Sequence, residues 1–137
     1  MTPTDVGGSP LLKFLVLGVA GGIGTLARFW LSSFAQRFAR GPFPVGTLAV
    51  NLIGCLLTGV VLYLVRDLHA MRPETRTVVV VGLLGGFTTF SAFGSETFEL
   101  ARVGSFALAG ANVLGNVVAG IGAVWFGAAA ARAVLHG

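Results

Sequence analysis

With 137 residues, 55% of them hydrophobic and only 10% charged, the chain has too little charge to cover a water-soluble domain of its size. Its nine Lys and Arg outnumber five Asp and Glu, giving a net charge of +4, but they are scattered at helix ends rather than gathered on one face, which argues against a nucleic-acid surface. The composition is that of a membrane protein.

Met1 to Pro10 is polar and rich in Gly and Pro, and it lacks the small-residue cleavage site that follows the apolar core of a secretory signal. Residues 1–12 are read as a flexible N-terminal tail, residues 13–132 as a single four-helix transmembrane domain and residues 133–137 as a C-terminal tail. Four charge-poor runs are each long enough for the ~20 residues that a bilayer core requires. They are Phe14 to Ala27 continuing past Arg28 to Phe34, Phe43 to Val65, Thr77 to Ser95, and Val103 to Ala131. Only short connections lie between them, so the chemistry must sit within the helices.

The first span carries Gly18, Gly21, Gly22 and Gly24, small residues on which helix backbones approach closely. Arg28 falls near its end, where a long side chain snorkels to the interface. The second span places Asn51 at membrane depth, where an amide must face protein or water. Asn51 fits either interhelical bonding or a pore lining. Cys55, the only cysteine, excludes an intrachain disulfide, and His69 and His136 stand apart from any metal-binding or acid-base partner.

The third span is the most informative. Gly85-Gly86-Phe87-Thr88-Thr89-Phe90-Ser91-Ala92-Phe93 puts two glycines and a hydroxyl cluster into an otherwise apolar segment. Hydrocarbon offers no partner to a freed backbone group, so a helix broken at mid-membrane must line a pore or hold an ion. Carbonyls exposed where Gly85 to Thr88 leaves helical geometry suit a small hard cation such as Na⁺. Phe90 and Phe93 flank Ser91, and polarised ring edges, amides and hydroxyls can replace the water of a halide. Equally, both rings fit a packed core. Glu96 reads as dipole compensation in a resumed helix, with the orientation of nearby hydroxyls as its other reading.

In the fourth span Asn112 and Asn116 stand one turn apart with Gly120 continuing the stripe, a candidate polar track. Every carboxylate (Asp5, Asp67, Glu74, Glu96, Glu99) falls in a tail, a loop or the end of span three, against a proton-coupled antiporter. There is no Ser-His-Asp set, no paired carboxylates at catalytic spacing and no phosphate loop followed by Lys, so an enzyme is not expected. With four spans, Lys13, Arg66, Arg72, Arg76 and Arg132 share one side, against Arg37, Arg40, Arg102 and, if it reaches the interface, Arg28 on the other. Orientation follows an excess of Lys and Arg, so this near tie predicts insertion in both directions and an antiparallel dimer.

Gly21-Gly22-Ile23-Gly24-Thr25-Leu26-Ala27-Arg28, Gly46-Thr47-Leu48-Ala49-Val50-Asn51-Leu52-Ile53-Gly54, and Gly82-Leu83-Leu84-Gly85-Gly86-Phe87-Thr88-Thr89-Phe90-Ser91-Ala92-Phe93 with Glu96 resemble, in order and spacing, the Fluc/CrcB family of fluoride channels. The resemblance runs from about Phe14 to Ala131. It implies an all-α, dual-topology antiparallel homodimer in a bacterial inner membrane, with two fluoride pores, a central structural Na⁺ and passive fluoride efflux that lowers cytoplasmic fluoride. It also implies pore roles for Phe90, Phe93, Asn51, Ser91 and Thr89, and Na⁺ held by the carbonyls of Gly85 and Thr88. Ala92 stands where many relatives have Thr, Thr25 where many have Ala, and Asn112 and Asn116 where several offer Tyr, Ser or Thr. A small dual-topology multidrug exporter shares the size and span number but needs a carboxylate in its first helix, which is missing. A non-transporting membrane assembly protein would use the glycines and Asn51 for packing but has no need of a broken helix.

Overall fold

The computed structural model describes residues 9–136. Among these the chain is entirely helical, with four segments long and apolar enough to cross a membrane: Pro10–Gln36, Val45–Arg66, Pro73–Arg102 and Phe106–Leu135. They are called the first to fourth spans below. The protein is a multi-pass membrane protein.

The first span begins where local chemistry favours a start. Ser9 is extended and its hydroxyl accepts the Leu12 N–H at 3.3 Å, while Pro10 occupies the first turn, where its missing N–H is harmless. The helix therefore includes residues 10–12 of the expected tail; residues 1–8 lie outside the described residues. At the C-terminal end of the chain the last helix runs to His136, through most of the stretch expected as the C-terminal tail. At ~1.5 Å per residue the 27-residue first span is about 40 Å long, enough to cross the hydrocarbon and enter both interfaces. Gln36, at its end, reaches across the following loop: its Nε2 donates to the Phe43 carbonyl (3.1 Å) and its Oε1 accepts the Gly46 N–H (2.9 Å), fixing the entry to the second span.

Packing is pairwise. The first span lies against the first half of the third, and the second span against the C-terminal half of the fourth. Glycine makes both approaches possible. A Cβ on Gly24 would lie 2.8 Å from the Phe87 nitrogen, and one on Gly86 would run into the backbone of Gly21. In the other pair the contact is reciprocal: Gly59 faces the Val124 carbonyl and Gly127 faces the Leu56 carbonyl. Such small-residue faces let dispersion contacts form between backbones in lipid, where no hydrophobic force drives helices together.

Two stretches, Val78–Leu84 in the third span and Gly115–Ala119 in the fourth, are wound as wider π-helix. The true interruption comes later. Gly85 keeps right-handed helical angles (φ −64°, ψ −38°), whereas Thr88 (φ −80°, ψ 160°) and Thr89 (φ −149°, ψ 110°) are extended, and helix resumes at Phe90. The break thus falls at the middle of Pro73–Arg102, on the two threonines rather than on the two glycines, of which Gly86 serves close packing against Gly21.

Little of the surface is buried within one chain. In the first span only Ala20 and Gly24 are buried, and Phe14, Val19, Leu26, Phe29 and Trp30 point outward. An apolar face of this extent requires lipid or protein around it.

Candidate functional site

The extended Thr88–Thr89 pair leaves backbone groups that an unbroken helix would have paired, and the chain answers each with a side chain. In a continuous helix the Thr89 N–H would close on the Gly85 carbonyl; here it donates to Asn51 Oδ1 at 2.9 Å. The Asn51 Nδ2 returns a bond to the Thr89 carbonyl at 3.1 Å. One amide therefore satisfies both sides of the Thr89 residue, across the packing between second and third spans. The Ala92 N–H, the helical partner of the Thr88 carbonyl, turns to Thr89 Oγ1 at 3.2 Å, so that Thr89 is the N-cap of the resumed helix. Thr88 itself closes the preceding helix, its N–H donating to the Leu84 carbonyl at 2.9 Å and its hydroxyl to the same oxygen at 3.0 Å.

This rearrangement frees Gly85 and Thr88 carbonyls from their usual helical donors, because Thr89 and Ala92 donate to side chains instead. Two hard, neutral oxygens released by one break are a donor set that suits Na⁺.

Asn51 continues into the fourth span. Its Nδ2 also donates to Asn116 Oδ1 at 2.8 Å, and Asn116 Nδ2 donates to Asn112 Oδ1 (2.9 Å) and to the Asn112 carbonyl (3.0 Å). Asn112, with no exposed surface, donates from Nδ2 to Thr97 Oγ1 at 2.9 Å. Thr97 donates in turn to the Phe93 carbonyl at 2.7 Å. The polar residues of three spans thus form one network, to which Thr97 belongs although nothing in its sequence context marked it.

Phe90 and Phe93 meet edge to face, with ring centroids 5.3 Å apart and planes at 65°. Their environments differ. Phe93 is 8% exposed and packed within the chain, whereas Phe90 is 81% exposed and projects outward beside it. Both rings line a groove of about 280 Å³ with Asn51, Cys55, Thr58, Thr88, Thr89, Asn116 and Val117. Ser91 is exposed, its hydroxyl 3.4 Å from that of Thr89.

A second groove, about 320 Å³, shares Thr89 with the first and is lined by Thr25, Arg28, Ser32, Ser33, Thr47 and Glu96, with Phe29, Val50 and Ala92. Glu96 accepts the Thr47 hydroxyl on Oε1 at 2.6 Å, and its Oε2 is buried without a hydrogen-bond partner. The carboxylate lies beyond the first turn of the resumed helix, so it orients a hydroxyl of the second span rather than compensating the dipole. Arg28, eight residues before the end of its helix, lines the same groove. Both residues were visible in the sequence as charges near apolar spans; that they line one groove depends on packing of spans one, two and three.

The chain matches the family described as CrcB-like protein, Camphor Resistance (CrcB), over residues 15–128. It is 43% identical over 121 residues to the fluoride-specific ion channel FluC of Solibacter usitatus, covering 88% of this chain and 99% of that protein. It is 42% identical to the protein of the same name from Geobacter sulfurreducens and 37% identical to that of Nitratidesulfovibrio vulgaris, each match covering 89% of this chain and 98% of the relative. A four-span architecture, a third helix broken at two threonines and matches across nearly the whole chain agree: the protein belongs to the CrcB family.

Proposed function

We propose that the protein is a fluoride-selective ion channel that gives passive efflux of fluoride across a bacterial inner membrane and so lowers cytoplasmic fluoride. It transports an ion and is not an enzyme. The observation that carries this reading is the break at Thr88–Thr89, held by Asn51 beside an edge-to-face Phe90 and Phe93, in a chain whose curated relatives are named fluoride-specific channels.

Fluoride is small and tightly hydrated, so a path for it must replace water with donors of modest individual strength. The Thr89 hydroxyl and the positive edges of the two rings supply such donors along the first groove, with the Ser91 hydroxyl 3.4 Å from that of Thr89. Both Asn51 amide hydrogens are engaged within the chain, so Asn51 acts on the ion by holding the Thr89 backbone and the ring beside it. Phe90, exposed in the single chain, completes its surroundings against a second copy. The working unit is an antiparallel homodimer of dual topology, supported by five Lys and Arg on one side against four on the other. Gly85 and Thr88 carbonyls from both copies would hold a structural Na⁺ at the centre, fixing the two broken helices together.

The test is fluoride release from liposomes containing the purified protein, followed with a fluoride electrode beside chloride release under the same gradient. Rapid fluoride release with little chloride release is the expected result. No fluoride release from a folded dimer would remove the channel reading.

A further inference from the structure

The network around the break is directional, and its direction fixes what each side chain can do. A backbone N–H only donates, so the Thr89 N–H sets Asn51 with Oδ1 toward it and Nδ2 away. Asn116 must then accept on Oδ1 and donate from Nδ2, and Asn112 must do the same. Thr97 accepts from Asn112 and passes its own proton to the Phe93 carbonyl. Starting at the Thr89 N–H and ending at the Phe93 carbonyl, the relay leaves one end of the resumed helix's first turn, the turn that carries Phe90 and Phe93, and returns to the other. No amide in it can reverse without opposing donor to donor or acceptor to acceptor. Its deepest member, Asn112, is 0% exposed, so it presents no surface to a permeating ion within the chain.

We propose that Asn112 and Thr97 are positioning residues of the pore: through Asn116 and Asn51 they lock the orientation of the Thr89 peptide and the Phe93 carbonyl, and with them the angle of the aromatic pair. This deepens the channel reading and rests on it for its effect on flux. The role of these residues is geometric, and the ion meets what they hold in place.

The experiment uses full-length protein with Thr97→Val, Thr97→Ser, Asn112→Leu and the Thr97→Val/Asn112→Leu double variant. Fluoride release from liposomes is read beside amide hydrogen exchange of the peptide covering residues 88–97. Losing one member leaves buried groups of the relay unpaired. Thr97→Val and Asn112→Leu are each expected to slow fluoride release by about tenfold and to speed exchange at Thr89 and Ala92. Thr97→Ser, which keeps the hydroxyl, restores both readouts. The double variant is no slower than the worse single one, because both cut the same chain.

Slower fluoride release with unchanged exchange at residues 88–97 would overturn the proposal and make Asn112 or Thr97 a contact of the ion. Additive losses in the double variant, or a Thr97→Ser as impaired as Thr97→Val, would also overturn it. If the unmodified protein releases no fluoride, the channel reading fails. The exchange measurement still decides whether the relay holds the break.

Discussion

Asn51 satisfies the N–H and the carbonyl of Thr89 together, which makes it the residue on which the break most directly depends. Removing the amide leaves two polar groups inside a membrane span without partners, each costing ~1–3 kcal/mol. Asn51→Ala is therefore expected to lower the thermal stability of the purified protein and to reduce fluoride release sharply, with the proposed dimer still recovered on size-exclusion chromatography. Normal flux in this variant would remove Asn51 from the path. The two phenylalanines separate stability from function. Phe93 is packed within the chain, so Phe93→Ile is expected to cost about 1–3 kcal/mol of stability as well as flux. Phe90→Ile, at an 81% exposed position, is expected to cut flux with a much smaller change in melting temperature. Equal losses of stability in the two variants would contradict the different burial of the rings.

At the scale of helices, stability resides in two close pairs whose backbones meet at glycine. A Cβ on Gly59 would meet the backbone of Val124 and lie 2.9 Å from the Ala128 nitrogen, and no rotamer change can move a backbone aside. Gly59→Ala is expected to destabilise by about 1–3 kcal/mol, measured as a lowered melting temperature in detergent. Gly18→Ala, at a position with nothing within 4 Å, is the control and is expected to leave the melting temperature unchanged or slightly raised. The extended Thr88–Thr89 pair needs a different kind of support. It is held by side chains from the second and third spans, and the same diversion of amides that builds it releases the Gly85 and Thr88 carbonyls. A break of this kind therefore couples two tasks, an aromatic pair at the start of one helix and free oxygens at the end of another.

Across the whole molecule, orientation is set by small charge differences. Five Lys and Arg on one side against four on the other leave little bias, so tagged termini are expected on both faces of the membrane. Adding Leu68→Lys and Ala70→Lys to the loop between the second and third spans would make the ratio seven to four. It is expected to drive insertion toward a single orientation and to abolish fluoride release by removing antiparallel partners. Full flux from a protein labelled on one face only would sink the dual-topology dimer. The outward-facing Phe90 and the sparsely buried first span give a partner copy and surrounding lipid ample apolar surface to cover.

The amino-acid sequence by itself determined the four spans, the near tie in charge, the position of the break within a few residues and the polar residues at depth. These follow from local composition, since a bilayer tolerates long apolar runs and singles out each amide or glycine within them. Sequence spread the departure from helix over Gly85 to Thr88, because glycine is the usual mark of a loosened helix. Tertiary structure located it at Thr88 and Thr89, since Gly86 packs in helical geometry against Gly21 and Asn51 pairs the Thr89 backbone. The meeting of Glu96 with Thr47, the role of Gln36 in the first loop and the closure of the amide relay through Thr97 were likewise decided only by packing. Each joins residues from different spans or across a loop, and a hydrogen bond between helices depends on their relative rotation, which no local pattern of residues specifies.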